Sequence, residues 1–282
     1  MLASLKARLR DFKRSNHDAR LQTMLGTVNA YLVSYPKSGR TWLRYLLSLY
    51  LARTYDLGFE PDLRSTFRVL PNFDLDMQRG LPSTEALATK NLPLIAVSHR
   101  DYREDLFAGK KTIMLVRDPR DVLVSSYFHQ TKHKHRFEGD IAAFLEDPMY
   151  GAAAIAQYHN GWASGLVNRE AMTVSYEELS DDTHGVVRNI LHFLGIAVDE
   201  HALDEAVAKA QFDKMRKKEQ QTGIPGHKYN REDADASRVR RGKVAGYTDY
   251  LGPTEDARVG ELFNEHLTPE AKALYTPTGF IA

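Results

Sequence analysis

"YLVSYPKSGRTWLRYLL", residues 31–47, decides how this chain of 282 residues is read. An apolar run, residues 30–34, passes through a Pro-Lys-Ser-Gly turn. Beyond it Leu43, Leu46, Leu47, Tyr50 and Leu51 fall at i, i+3, i+4, i+7 and i+8. That spacing makes one buried helical face, and the short dense run before it suits a buried strand. A strand, a tight turn and a helix in that order present backbone N–H groups at the positive end of a helix dipole, which is an anion site. Gly39 lets the backbone approach closely, Lys37 adds a full charge, and Ser38 and Thr41 add hydroxyls.

The spelling differs from that of a nucleotide-hydrolysing loop. G-x-x-x-x-G-K-[ST] carries its Lys after the last Gly and a hydroxyl placed for Mg²⁺. Here Lys37 precedes Gly39, and Arg40 stands where that Lys would be. No apolar run ends in an Asp evidently placed for a metal, so the expectation is an anion site that works without one.

The strand-helix pattern returns. Residues 94–98, 112–116 and 172–175 read as further strands. "RDPRDVLVSSYFHQ" follows the third, with Pro119 suited to a first helical turn and Val122, Leu123, Ser126 and Tyr127 forming a face. Val187, Ile190, Leu191 and Leu194 give another helical stripe. The fold class is therefore α/β: a single domain with a central parallel sheet flanked by helices. Residues 1–26 read as a basic N-terminal arm and 27–282 as the domain, with the polar, weakly periodic residues 214–241 as a mobile flap.

Composition narrows the function classes. A formal charge of +1 argues against a general nucleic-acid binder, and the absence of Cys excludes disulfides, thiolate metal sites and a catalytic Cys. No run approaches the length of a membrane span, and the N-terminus lacks a signal-peptide core. A cytoplasmic protein is expected. The basic arm reads as a solvated leader helix, with weak membrane-surface association as the alternative. His129, His133 and His135 lie close in sequence, but their spacing matches no zinc pattern, and no metal is expected.

Three segments together resemble the PAPS-dependent sulfotransferase family (PAPS is 3′-phosphoadenosine 5′-phosphosulfate). "YPKSGRTW" resembles its 5′-phosphosulfate loop. "TIMLVRDPRDVLVSSYFH", with Arg117 ending a strand and Ser125 eight residues on, resembles its 3′-phosphate motif. "RVRRGKVAGYTDYL" resembles its C-terminal Arg-Lys-Gly segment. The resemblance implies a P-loop-like sulfotransferase fold and transfer of a sulfuryl group from PAPS to an acceptor hydroxyl, leaving PAP (adenosine 3′,5′-bisphosphate). It assigns Lys37, Ser38, Gly39, Arg40 and Thr41 to the phosphosulfate, and Arg117, Ser125, Arg240, Arg241 and Gly242 to the 3′-phosphate. Trp42, Tyr176 and Phe212 are assigned to adenine.

By position in the family's pattern His99 is the base and Lys37 the cation on the leaving oxygen. Two departures stand out. Arg40 replaces the family's usual Thr, and Val97 replaces a Lys found in many cytosolic members two residues before the His; Arg40 or Arg100 is expected to supply that charge. The acceptor is a small alcohol, a phenol or a glycan, and a bacterial enzyme is expected. Two other readings compete: a P-loop nucleoside or nucleotide kinase, and a module that binds the bisphosphate without catalysis.

Overall fold

The computed structural model describes residues 15–167, 169–223 and 242–281. Arg240 and Arg241, the first 14 residues of the expected arm and most of the expected flap lie outside the described residues. Four strands, β1 (Ala30–Val33), β2 (Ile95–Ser98), β3 (Lys111–Val116) and β4 (Ala171–Ser175), form one wholly parallel sheet in the order β2-β1-β3-β4. Each lies within a residue or two of its sequence expectation.

β1 and β2 are wholly buried and β3 all but its first residue, because helices cover both faces, while the first three residues of β4 at the sheet edge are half-buried. Ala30, Leu32, Ile113 and Leu115 share one core with Leu43, Leu46, Leu47 and Tyr50 of helix α2 (Arg40–Thr54), the face read from its spacing. Tyr31, Val33, Met114 and Val116 point the other way, packing with Phe107 and Trp162. Residues 15–24 form helix α1, whose Leu21 is fully buried in this second core, so this part of the expected arm docks onto the domain. No helix among the described residues is long and apolar enough to cross a membrane.

The remaining helices are α3 (Glu104–Phe107), α4 (Pro119–Phe128), α5 (Ile141–Leu145), α6 (Ala152–Leu166), α7 (Tyr176–Asp181) and α8 (Thr183–Leu194). They are followed by α9 (Glu200–Lys209), α10 (Phe212–Thr222), α11 (Pro253–His266) and α12 (Pro269–Leu274). Helix α10 corrects the expected flap: its first nine residues, 214–222, are helical, anchored by Met215 and Glu219, each 1% exposed. In an open sheet of this strand order, ligands sit outside the carboxyl ends of β1 and β3, where successive connections leave in opposite directions. The loops after β1, β2 and β3 all end there.

Candidate active site

The loop after β1 is built by its backbone. Lys37 (φ 78°) and Gly39 (φ 91°) both adopt left-handed conformations, turning the chain sharply into α2. Gly39 caps α2 without a side-chain hydrogen bond, so the first N–H groups of the helix keep their donors directed out of its end. Glycine is required there twice over: a Cβ would stand 2.4 Å from Cδ2 of Tyr176, in a conformation that L side chains resist.

One cavity of about 380 Å³ opens at this loop. Lys37, Gly39, Arg40, Thr41, Trp42, His99, Arg117, Ser125, Tyr176, Phe212 and Gly242, all singled out in the sequence, line it together. Ser38 sits just behind the surface, 1% exposed. Asp121, Ser180, Thr183, Gln211, Met215, Lys243 and Gly246 complete the lining and were missed by sequence reasoning.

Three buried donors in or just behind this wall have no protein acceptor among the described residues: the Ser38 hydroxyl, the Trp42 indole N–H and Arg117 Nε. Buried polar groups are nearly always hydrogen-bonded, so such a cluster around a cavity points to a ligand rich in acceptors. A phosphorylated, sulfated nucleotide fits that donor set.

At the far wall the Arg117 guanidinium lies 4.3 Å over the Tyr176 ring, and its Nη2 donates to Asp121 Oδ2 and to the Lys243 carbonyl, both at 2.9 Å. The Tyr247 N–H donates to the other Asp121 oxygen at 2.7 Å. Burial pushes the Asp121 carboxyl up, while Arg117 and the Tyr247 N–H pull it down. Tyr176 therefore has one face under Arg117 and its ring against Gly39, with Trp42 edge-on at 5.6 Å. It works as a pillar between the two halves of the site as well as a wall. Gly242 (φ 62°) brings the C-terminal segment against Phe212, where a Cβ would meet Cδ2 at 2.2 Å.

His99 leaves the end of β2 with Nδ1 2.6 Å from the Ser34 carbonyl oxygen. A carbonyl only accepts, so Nδ1 carries the proton and Nε2 is the basic nitrogen. The next residue turns away: Arg100 Nη1 donates to Asp18 Oδ1 at 2.8 Å, and Arg103 binds the same carboxylate, which these two cations hold below the usual range against the opposing effect of burial. Arg100 is thus no candidate for the charge absent at Val97, which is itself core, 1% exposed. Arg40 is the remaining one, since it lines the cavity with Lys37 and His99.

Beyond Ser125, α4 runs into a π-helical turn, His129–His133, with the two His rings 5.2 Å apart. Among the described residues no group of three or more His, Asp or Glu side chains is arranged to hold a metal.

Comparison with known proteins identifies the family and the fold. The chain is 25% identical over 260 residues to a 3-alpha-hydroxysteroid sulfotransferase of Cavia porcellus, covering 86% of this chain and 85% of that protein. It is 25% identical over 262 residues to cytosolic sulfotransferase 17 of Arabidopsis thaliana, covering 83% and 73%. Its fold superposes on a mouse sulfotransferase complexed with PAP with a TM-score of 0.62, at 22% identity, over 91% of this chain and 92% of that one. The sulfotransferase domain profile matches residues 29–269, and the chain belongs to that family.

Proposed function

We propose that this sulfotransferase moves the sulfuryl group of PAPS onto a hydroxyl of a small-molecule acceptor, by direct in-line transfer with His99 as base. The observation that carries the reading is one cavity that joins His99 and Lys37 to Trp42 and Arg117, each of which holds a buried donor without an acceptor among the described residues. Ser38 and the N–H groups opening α2 bind the 5′ end of the donor. Arg117, Ser125 and the segment from Gly242 bind its 3′-phosphate, where a guanidinium gives charge-assisted, fork-shaped hydrogen bonds. Trp42 and Phe212 enclose the base. Ser180 and Thr183 already donate their hydroxyl protons to the carbonyls of Tyr176 and Leu179, each at 2.8 Å. Only their lone pairs face a ligand, which suits an adenine amino group.

His99 Nε2 takes the proton of the acceptor hydroxyl, because the Ser34 carbonyl keeps Nδ1 protonated and the ring aimed. Lys37 holds the negative charge that appears on the leaving phosphate oxygen, an interaction worth more in the transition state than before it. Arg40 balances the sulfuryl oxygens in place of a Lys at position 97. The acceptor belongs to the class recorded in the name of the Cavia porcellus relative, a hydroxysteroid; a glycan is the alternative suited to the basic residues 132–136. A cytoplasmic location belongs to the same reading.

The test is PAPS with a panel of hydroxysteroids, phenols and monosaccharides, with sulfated product detected by mass. The expected result is a sulfate ester from at least one hydroxysteroid. His99→Ala should cut its formation by about 10²–10⁴-fold while leaving PAP affinity nearly unchanged. Sulfation undiminished in His99→Ala would remove the base, and no product from any acceptor would overturn the reading.

A further inference from the structure

A carboxylate in the wall of an anion site needs a reason. Asp121 lines the same cavity as Lys37, Arg40 and Arg117, and its side chain is 3% exposed. A dianionic ligand group beside it pays for like-charge repulsion in a place where water screens poorly. Its two oxygens are both engaged, Oδ2 by Arg117 Nη2 and Oδ1 by the Tyr247 N–H. The same Nη2 also donates to the Lys243 carbonyl. Nη2 is thereby fixed by two acceptors and the guanidinium carbon sits 4.3 Å over the Tyr176 ring, which together hold the fork in place. Its buried Nε–H, without an acceptor among the described residues, and the two N–H groups of Nη1 are what remain for a ligand. Through Tyr247 the carboxylate also ties down the segment that begins at Gly242, far away in sequence.

We propose that Asp121 is a positioning residue: it aims Arg117 at the donor's 3′-phosphate and fastens the Gly242–Tyr247 segment over that phosphate, without touching the donor itself. This rests on the donor site proposed above. It makes the carboxylate the source of discrimination between nucleotides with and without a 3′-phosphate, rather than a general contributor to affinity. A residue with a purely structural role would weaken both kinds of ligand alike.

The experiment is calorimetric titration of the full chain and of Asp121→Asn with PAP and with adenosine 5′-phosphate, which has the same base and 5′ end. Asn keeps an oxygen for the Tyr247 N–H and loses the charge that orients Arg117. The wild-type chain should bind PAP on the order of 100-fold more tightly than the monophosphate. In Asp121→Asn the ratio should fall to about 10 or less, with monophosphate affinity held within about twofold. Asp121→Ala, which also releases Tyr247, should lower the ratio further. An unchanged ratio in Asp121→Asn, equal losses for both ligands, or tighter PAP binding would overturn the proposal. A wild-type chain that shows no preference for PAP would instead overturn the donor site on which it rests.

Discussion

The two halves of the cavity proposed to hold the donor are made differently. The half after β1 is one contiguous stretch, Ser34 to Trp42, in which two left-handed residues and a helix end without a side-chain cap build the proposed anion site from backbone. The opposite half is assembled from three separate segments: the side chains of Arg117 and Asp121, that of Phe212, and the stretch from Gly242 to Tyr247, which the Arg117 and Asp121 side chains hold by its backbone. A backbone-built site tolerates almost no change at its tight turns, because the turn itself is the binding group. A side-chain-built site loses affinity contact by contact. Tyr176 joins the two, touching the Gly39 backbone on one side and the Arg117 guanidinium on the other.

That contrast breaks first at the loop. Lys37→Ala should lower kcat by about 10²–10³-fold with a smaller loss of PAP affinity, since its charge matters most as the leaving oxygen becomes negative. Gly39→Ala drives a Cβ into the Tyr176 ring at a positive φ, and PAP affinity should fall by on the order of 100-fold. A Gly39→Ala protein that binds PAP normally would show that the loop is not the anion site. On the other side, Arg117→Ala should weaken PAP by about 30-fold, the loss expected for charge-assisted hydrogen bonds. Gly242→Ala should weaken it by only about fivefold, because its φ of 62° lies in the left-handed region that an L residue can enter, whereas the 91° of Gly39 lies outside it. Comparable losses at Gly39 and Gly242 would erase the distinction between the halves.

The smallest effect concerns Glu177, next to Tyr176. Burial pushes its carboxyl from the ordinary 4.5 up to about 7, against the pull of the Asp118 N–H and Arg117. Between those values the folded chain holds a proton that the unfolded chain has lost. The stability this group contributes is complete below about 4.5 and disappears as pH rises through about 7. Glu177→Gln should therefore flatten the fall of Tm across that window. An identical Tm profile in the variant would exclude Glu177 as its source.

The same contrast explains what could be read in advance. The contiguous loop, the four strands and the face of α2 were legible because each depends on neighbours in sequence, through period and turn chemistry. His99 and Arg117 were singled out by their match to the family's pattern, and each follows directly on a strand and lines the cavity. Asp121 was not: its partner Tyr247 is 126 residues away, and before folding it is one acid among many. Arg100 was misjudged for the same reason, since the carboxylate that draws it aside is Asp18, 82 residues upstream. Helix α10 was hidden by composition. Its apolar stripe is little more than Phe212 and Met215, too short to show a period, and packing against the domain supplies what propensity does not.

The most direct test of the donor site is a calorimetric comparison of PAP, with chelator present, against ATP with Mg²⁺. The account predicts saturable, metal-independent binding of PAP that Arg117→Ala weakens, and little binding of ATP. Saturation by ATP with Mg²⁺ alone, with PAP silent, would contradict it.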